Sequence, residues 1–151
     1  MSQPTKKKNY TEKFQELAKA ANDMGETRDC AVKALAIVGD LSYEDAHCLL
    51  ELYGRKSRDG TYDYITHKAL KFLDLATEDQ TKLWRDGMGG RTVRTLARVM
   101  RGRKGKWLVW TSQHILAVED GEVHDWTNGR LHRVKRILKV KHATAASNER
   151  P

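Results

Sequence analysis

The chain has 151 residues, 39% of them hydrophobic and 32% charged, which suits one domain with a real core and a large wetted surface. No apolar run is long enough for a membrane span or a secretory signal, so a cytoplasmic protein without membrane partners is expected. A net charge of +8 favours anionic partners such as nucleic acid, acidic protein surfaces or polyanionic cell-wall material, and does not choose among them.

Residues 1–10, with Lys6, Lys7 and Lys8, read as a flexible basic arm. Residues 11–141 read as the single folded domain. Thr11 can cap a helix with Phe14, Leu17, Ala18 and Ala21 on one stripe, ending near Gly25. A loop then delivers Cys30, which opens a second helix through Val38, with apolar residues at 31, 34, 35 and 38. Gly39 to Leu41 break it. Ser42 followed by Asp45 caps a third helix, Tyr43 to Tyr53, stopped by Gly54, and a fourth is expected near Ile65 to Leu73.

From Leu75 to Gly90 the periodicity weakens. Gly87-Met88-Gly89-Gly90 marks a connector; it lacks the spacing of a phosphate loop. Arg91 to Gly102 reads as a helix that buries Val93, Leu96, Ala97 and Met100. Its Arg91, Arg94, Arg98 and Arg101 recur every three or four residues and would form an arginine ridge able to hold phosphates or carboxylates. A solvated helix face is the plain alternative.

Trp107 to Thr111 and His114 to Glu119 read as strands joined to a further one by an Asp120-Gly121 hairpin. Leu131 to Val140, after the Asn128-Gly129 turn, reads as the last strand, and residues 142–151 as a frayed tail. Helices first and an antiparallel meander afterwards indicate an α+β domain, with N-terminal helices packed on a C-terminal antiparallel sheet.

Three residues in this plan bear on chemistry. At a helix start Cys30 meets the exposed N–H groups and partial positive charge that favour thiolate, the nucleophilic form of a cysteine. The Asp120-Gly121 hairpin places Glu119 opposite Glu122, Val118 opposite Val123 and Leu116 opposite Asp125. His114 shares a face with Leu116, so His114 and Asp125 are diagonal cross-strand neighbours about 7–8 Å apart at the backbone. An aspartate there would orient the imidazole while its other nitrogen pairs with the sulfur, giving a Cys30–His114–Asp125 triad. His124 points the other way. Taken singly, a cysteine at a helix start is more often a small buried residue, and a strand histidine more often structural.

No cofactor is expected. His47, His67, His114 and His124 offer no converging three-ligand set, which leaves a metal site as the weakest reading. Cys30 and Cys48 lack a disulfide framework and are expected to be reduced.

Thr27-Arg28-Asp29-Cys30-Ala31-Val32-Lys33-Ala34-Leu35-Ala36, Ser42-Tyr43-Glu44-Asp45-Ala46, Thr92-Val93-Arg94-Thr95-Leu96, Ser112-Gln113-His114-Ile115-Leu116-Ala117-Val118 and Gly121-Glu122-Val123-His124-Asp125 resemble segments of a known group. These are small bacteriophage and bacterial proteins with a papain-like cysteine peptidase fold, related to bacteriocin leader peptidases and cell-wall amidases. The resemblance spans roughly residues 26 to 140. It implies a papain-like fold, with Cys30 as nucleophile, His114 as general base and Asp125 as its orienting partner. It also implies a peptide or protein substrate, and a phage source would place the protein in the infected host cell's cytoplasm or in a virion.

The chain departs from that group at one point. Papain-like enzymes carry a glutamine about six residues before the cysteine, where this chain has Met24. Asn22 and Gln113 are the candidate replacements as oxyanion donors, although strand alternation would turn Gln113 away from His114. Two functions therefore stand side by side. One is a cysteine hydrolase acting on a peptide, isopeptide or amide bond; the other is a weak or inactive scaffold that binds nucleic acid or an acidic host protein through the arginine ridge.

Overall fold

A computed structural model describes residues 10–88 and 91–143. Helices α1 (Glu12–Asp23), α2 (Cys30–Val38), α3 (Tyr43–Leu52) and α4 (Asp63–Phe72) come first. Strand β1 (Leu75–Asp79), a short helix α5 (Thr81–Leu83) running into a π-helical turn (Trp84–Met88), and α6 (Val93–Met100) follow. Strands β2 (Lys106–Thr111), β3 (His114–Glu119), β4 (Glu122–His124) and β5 (Arg136–His142) complete the chain. The fold is α+β, and all five strands lie in one antiparallel sheet of order β1-β5-β2-β3-β4.

The helix starts obey their sequence signals. The Thr11 hydroxyl accepts from the Phe14 N–H and the Ser42 hydroxyl from the Asp45 N–H, each satisfying a donor the helix itself leaves open. Asp120 and Gly121 take φ values of 50° and 87°, both positive as the tight primed turn requires, and Glu119 faces Glu122 and Val118 faces Val123 as the hairpin dictates.

Sheet alternation divides the interior in two. Leu108, Ile115, Ala117 and Val140 pack on α1 to α4, whereas Trp107, Val109, Leu116, Val118, Val123 and Ile137 pack on Trp84 and on Val93, Leu96 and Met100 of α6. The expected helix layer is therefore joined by a second, smaller layer behind the sheet. Helix α2 lies at the centre, and every residue of it except Cys30 and Lys33 is buried. Each fully buried leucine, isoleucine or valine there contributes about 1.5–3 kcal/mol, so α2 is anchored on several sides at once.

Several expected boundaries move. β1 was hidden by its polar sequence, Leu-Ala-Thr-Glu-Asp, because it is an edge strand with one paired side and mostly exposed residues. Residues 131–135 do not begin the last strand; they cross the start of α6 through an isolated bridge between Thr92 and Arg133, and β5 begins only at Arg136. β5 also runs to His142, opposite Leu75, so the domain extends past 141 and the expected tail loses its first residue. Tyr10, assigned to the arm, packs edge-on against Phe14 at 5.0 Å. The rest of the arm, Gly89 and Gly90 of the connector, and tail residues 144–151 lie outside the described residues.

Candidate active site

Cys30 is the first residue of α2, after Asp29 as N-cap. Asp29 does not cap with its side chain. Its carboxylate accepts a 2.7 Å hydrogen bond from the Tyr43 hydroxyl and pairs with Lys33 at 3.3 Å, which frees the first-turn N–H groups of α2. Burial and then Asp29 raise the Tyr43 pKa, so the phenol remains a donor.

The loop before Cys30 is pinned from behind by Glu26. This carboxylate accepts from His47 Nε2 at 2.5 Å, from Arg55 at 3.1 Å and from the Arg58 backbone N–H at 2.9 Å. The Glu26 and Arg55 side chains are 2% and 1% exposed. Burial alone would push the Glu26 carboxyl pKa up, but the bonds from Arg55, His47 and Arg58 win and hold it far below the carboxylate range. A buried, multiply bonded carboxylate fixes the approach to Cys30.

On the sheet, Ala117 pairs with His124, which sets Leu116 opposite Asp125 and puts His114 diagonal to it. The diagonal closes: His114 Nε2 lies 2.7 Å from Asp125 Oδ2. The same Asp125 oxygen accepts from the Thr127 hydroxyl at 2.6 Å and the Thr127 N–H at 3.2 Å, and Asp125 is 3% exposed. With Nε2 engaged, Nδ1 is the ring nitrogen left for sulfur, and the Cys30 thiol is hydrogen-bonded to His114. Trp126 leans on the imidazole with ring centres 5.3 Å apart, and is itself flanked by His132 and by the Arg130 guanidinium.

The three groups polarise one another. Burial works against a charged imidazole, yet the hydrogen bonds and charges of Asp125 and Cys30 raise the His114 pKa from an ordinary 6.5 to about 9. Burial likewise opposes a thiolate, but the His114 bond, the Ile115 backbone N–H and the imidazolium charge bring the Cys30 pKa below its usual value. An anionic sulfur beside a cationic imidazole is the favoured state over the intervening pH range.

Two hollows flank this pair. One of about 500 Å³ is lined by Arg28, Lys33 and Trp126, the other of about 330 Å³ by Thr61, Asp63 and Trp110. Cys30, Gly60, Gln113 and His114 line both, so the thiol sits on the ridge of a cleft open in two directions.

The oxyanion candidates separate. Asn22 is exposed on the last turn of α1 and lines a different hollow, whose walls do not include Cys30. Gln113 lines the cleft because it is not a strand residue; it sits in the β2–β3 turn at φ 57°, where strand alternation does not govern its side chain. The arginine ridge is shorter than its spacing implied. Arg94 and Arg98 are exposed on α6, but Arg91 precedes the helix and Arg101 leaves it with extended backbone.

His124 does point away, to a 2.7 Å bond with Thr11. Cys48 is exposed on α3, and both cysteines are free thiols. Among the described residues no three His, Cys, Asp or Glu side chains are grouped to hold a metal, and no helix is long and apolar enough to cross a membrane. Sequence reasoning did not find Glu26, His47 and Arg55, which lie 21 and 29 residues apart with no local motif, nor the support from Thr127, whose position two residues after an aspartate is an Asx-turn signal. Compared with known proteins, the chain matches no protein-family model, no curated protein and no solved structure.

Proposed function

We propose that the chain is a papain-like cysteine hydrolase that cleaves a peptide, isopeptide or related amide bond. The observation that supports this most is the hydrogen-bonded series Cys30–His114–Asp125, with its sulfur on a ridge open to solvent on both sides. A cleft open at both ends suits a chain that continues past the scissile bond in each direction.

In this reading the Cys30 thiolate attacks the amide carbonyl carbon, and the carbonyl oxygen becomes an oxyanion held by the Cys30 N–H and the Gln113 side chain. The C–N bond breaks as the His114 imidazolium gives its proton to the leaving nitrogen, leaving a thioester. His114, now neutral, takes a proton from water as the water oxygen attacks the thioester. A carboxylic acid departs and the thiolate–imidazolium pair is restored. Asp125 keeps the ring oriented throughout and stabilises its cationic form. The resemblance to phage and bacterial proteins makes a bacterial cytoplasm or a virion the proposed setting.

The test is labelling with a thiol-directed peptide analogue near neutral pH. Loss of labelling in Cys30→Ala with retention in Cys48→Ala is the expected result. Equal labelling of the two variants would leave the fold as a binding scaffold without hydrolytic chemistry.

A further inference from the structure

We propose that the surface behind the sheet, opposite the α1–α4 layer, is a nucleic-acid binding site that grips backbone phosphates in a hollow between the π-helical turn and the start of α6. The hollow measures about 250 Å³, and Arg85, Arg91, Arg133 and Lys135 line it with no carboxylate among its walls. It shares no residue with the Cys30 cleft.

Three segments create it, the last of them distant in sequence from the other two. The π-helical turn brings Arg85, the segment before α6 brings Arg91, and the crossing segment 131–135 brings Arg133 and Lys135. That crossing is fixed by backbone bonds: the Val93 N–H donates to the His132 carbonyl and the Val134 N–H to the Arg91 carbonyl. The fold thus spends ladder hydrogen bonds on holding like charges together.

Several cations elsewhere among the described residues sit against a carboxylate, as Arg55 does against Glu26, Lys33 against Asp29, Arg136 against Asp63 and Lys141 against Glu78. None of the four cations at the hollow makes an ion pair or a side-chain hydrogen bond among the described residues, and all four are exposed. Trp84, 3% exposed, also lines the hollow. Asp86, on the same turn, does not line the hollow.

Guanidinium groups with unspent donors match phosphate oxygens in charge and in geometry. The positive surface continues from Arg91 to the exposed Arg94 and Arg98 of α6, further than a single phosphate would use. A polymer of phosphates fits this extent, which favours nucleic acid over a free nucleotide.

The experiment measures fluorescence anisotropy of labelled single-stranded DNA, single-stranded RNA and duplex DNA, each about 20 nucleotides long, against the full chain. Competitors are inorganic phosphate, a nucleoside monophosphate and poly-glutamate. Four phosphate contacts predict about a hundred-fold loss of duplex affinity between 50 and 200 mM salt. Arg91→Glu plus Arg133→Glu should weaken binding at least about ten-fold and flatten the salt slope by about two, while Cys30→Ser binds as wild type. Circular dichroism confirms that the exposed substitutions leave the fold intact. Binding that survives the double charge reversal, tighter binding of poly-glutamate than of either nucleic acid, or competition by the monophosphate as strong as by the polymer would each overturn the proposal.

Discussion

Asp125→Asn isolates the charge that sustains the thiolate–imidazolium pair. Asparagine has nearly the same size and still offers an oxygen to His114 Nε2, but it carries no charge. The His114 pKa rises from 6.5 to about 9 against burial, and the hydrogen bond and charge of Asp125 are prominent among its causes. With that charge gone, burial is opposed only by Cys30 and a neutral hydrogen bond, and His114 should titrate more than about one pH unit lower. The ring proton signals of His114 followed by NMR, in a Cys48→Ser background, report this midpoint directly. Alkylation of Cys30 across pH gives a second readout, because the reactive pair persists only below the imidazole midpoint. The midpoint is the quantity to compare, since a thiolate of higher pKa is also intrinsically more nucleophilic and rates alone mislead. Stability follows the same linkage. A histidine whose folded pKa is raised stabilises the fold fully below about 6.5 and loses that stabilisation as pH rises through about 9. Cys30 acts with the opposite sign, because its lowered folded pKa adds stability as pH rises towards the ordinary thiol range, so the two contributions offset and the His114 midpoint, not overall stability, separates wild type from Asp125→Asn. A His114 midpoint still near 9 in Asp125→Asn would refute the reasoning.

The Glu26 cluster predicts a second outcome: Glu26→Gln leaves Arg55 buried without its counter-charge and should cost about 3–5 kcal/mol in urea unfolding, with a loss under about 1 kcal/mol counting against a buried pair. Because the folded Glu26 pKa is depressed, its contribution is present above the ordinary carboxylate range and fades on acidification, so wild type and Glu26→Gln should converge in stability at low pH. Gly121→Ala adds a Cβ 2.8 Å from the Gly102 nitrogen and 2.9 Å from the Met100 carbonyl oxygen at φ 87°, and thermal unfolding should show a clear drop in midpoint of several degrees, about 1 kcal/mol or more. Trp126→Ala opens the His114–Asp125 bond to water; the His114 midpoint should move and Cys30 labelling should slow while urea stability changes far less than in Glu26→Gln, and an unmoved midpoint would assign Trp126 to packing alone.

What the residues disclosed in advance were the features set by local rules. Helix caps at Thr11 and Ser42 and the Asp120-Gly121 turn depend on neighbours within a few positions, and from that turn the diagonal between His114 and Asp125 followed by counting. The features that escaped depend on long-range pairing. β1 owes its existence to β5 rather than to its own composition, and residues 131–135, which alternate well enough for a strand, are diverted by the start of α6. Gln113 departs from its expected orientation for a related reason, since a turn residue at positive φ does not obey the alternation of the strand beside it. Glu26, His47 and Arg55 meet only because the loop after α1, helix α3 and the loop after α3 converge, and no spacing in the chain announces that.

The nearly complete burial of α2 has a consequence for how the molecule breathes. A helix enclosed by apolar neighbours cannot open alone, so its amides should exchange with solvent only when the whole domain unfolds, ranking among the slowest in the chain. The Cys30 sulfur then rides on the most cooperative part of the fold. The sulfur's position is then set by core packing, and adjustment at this site falls to the cleft walls rather than to the sulfur.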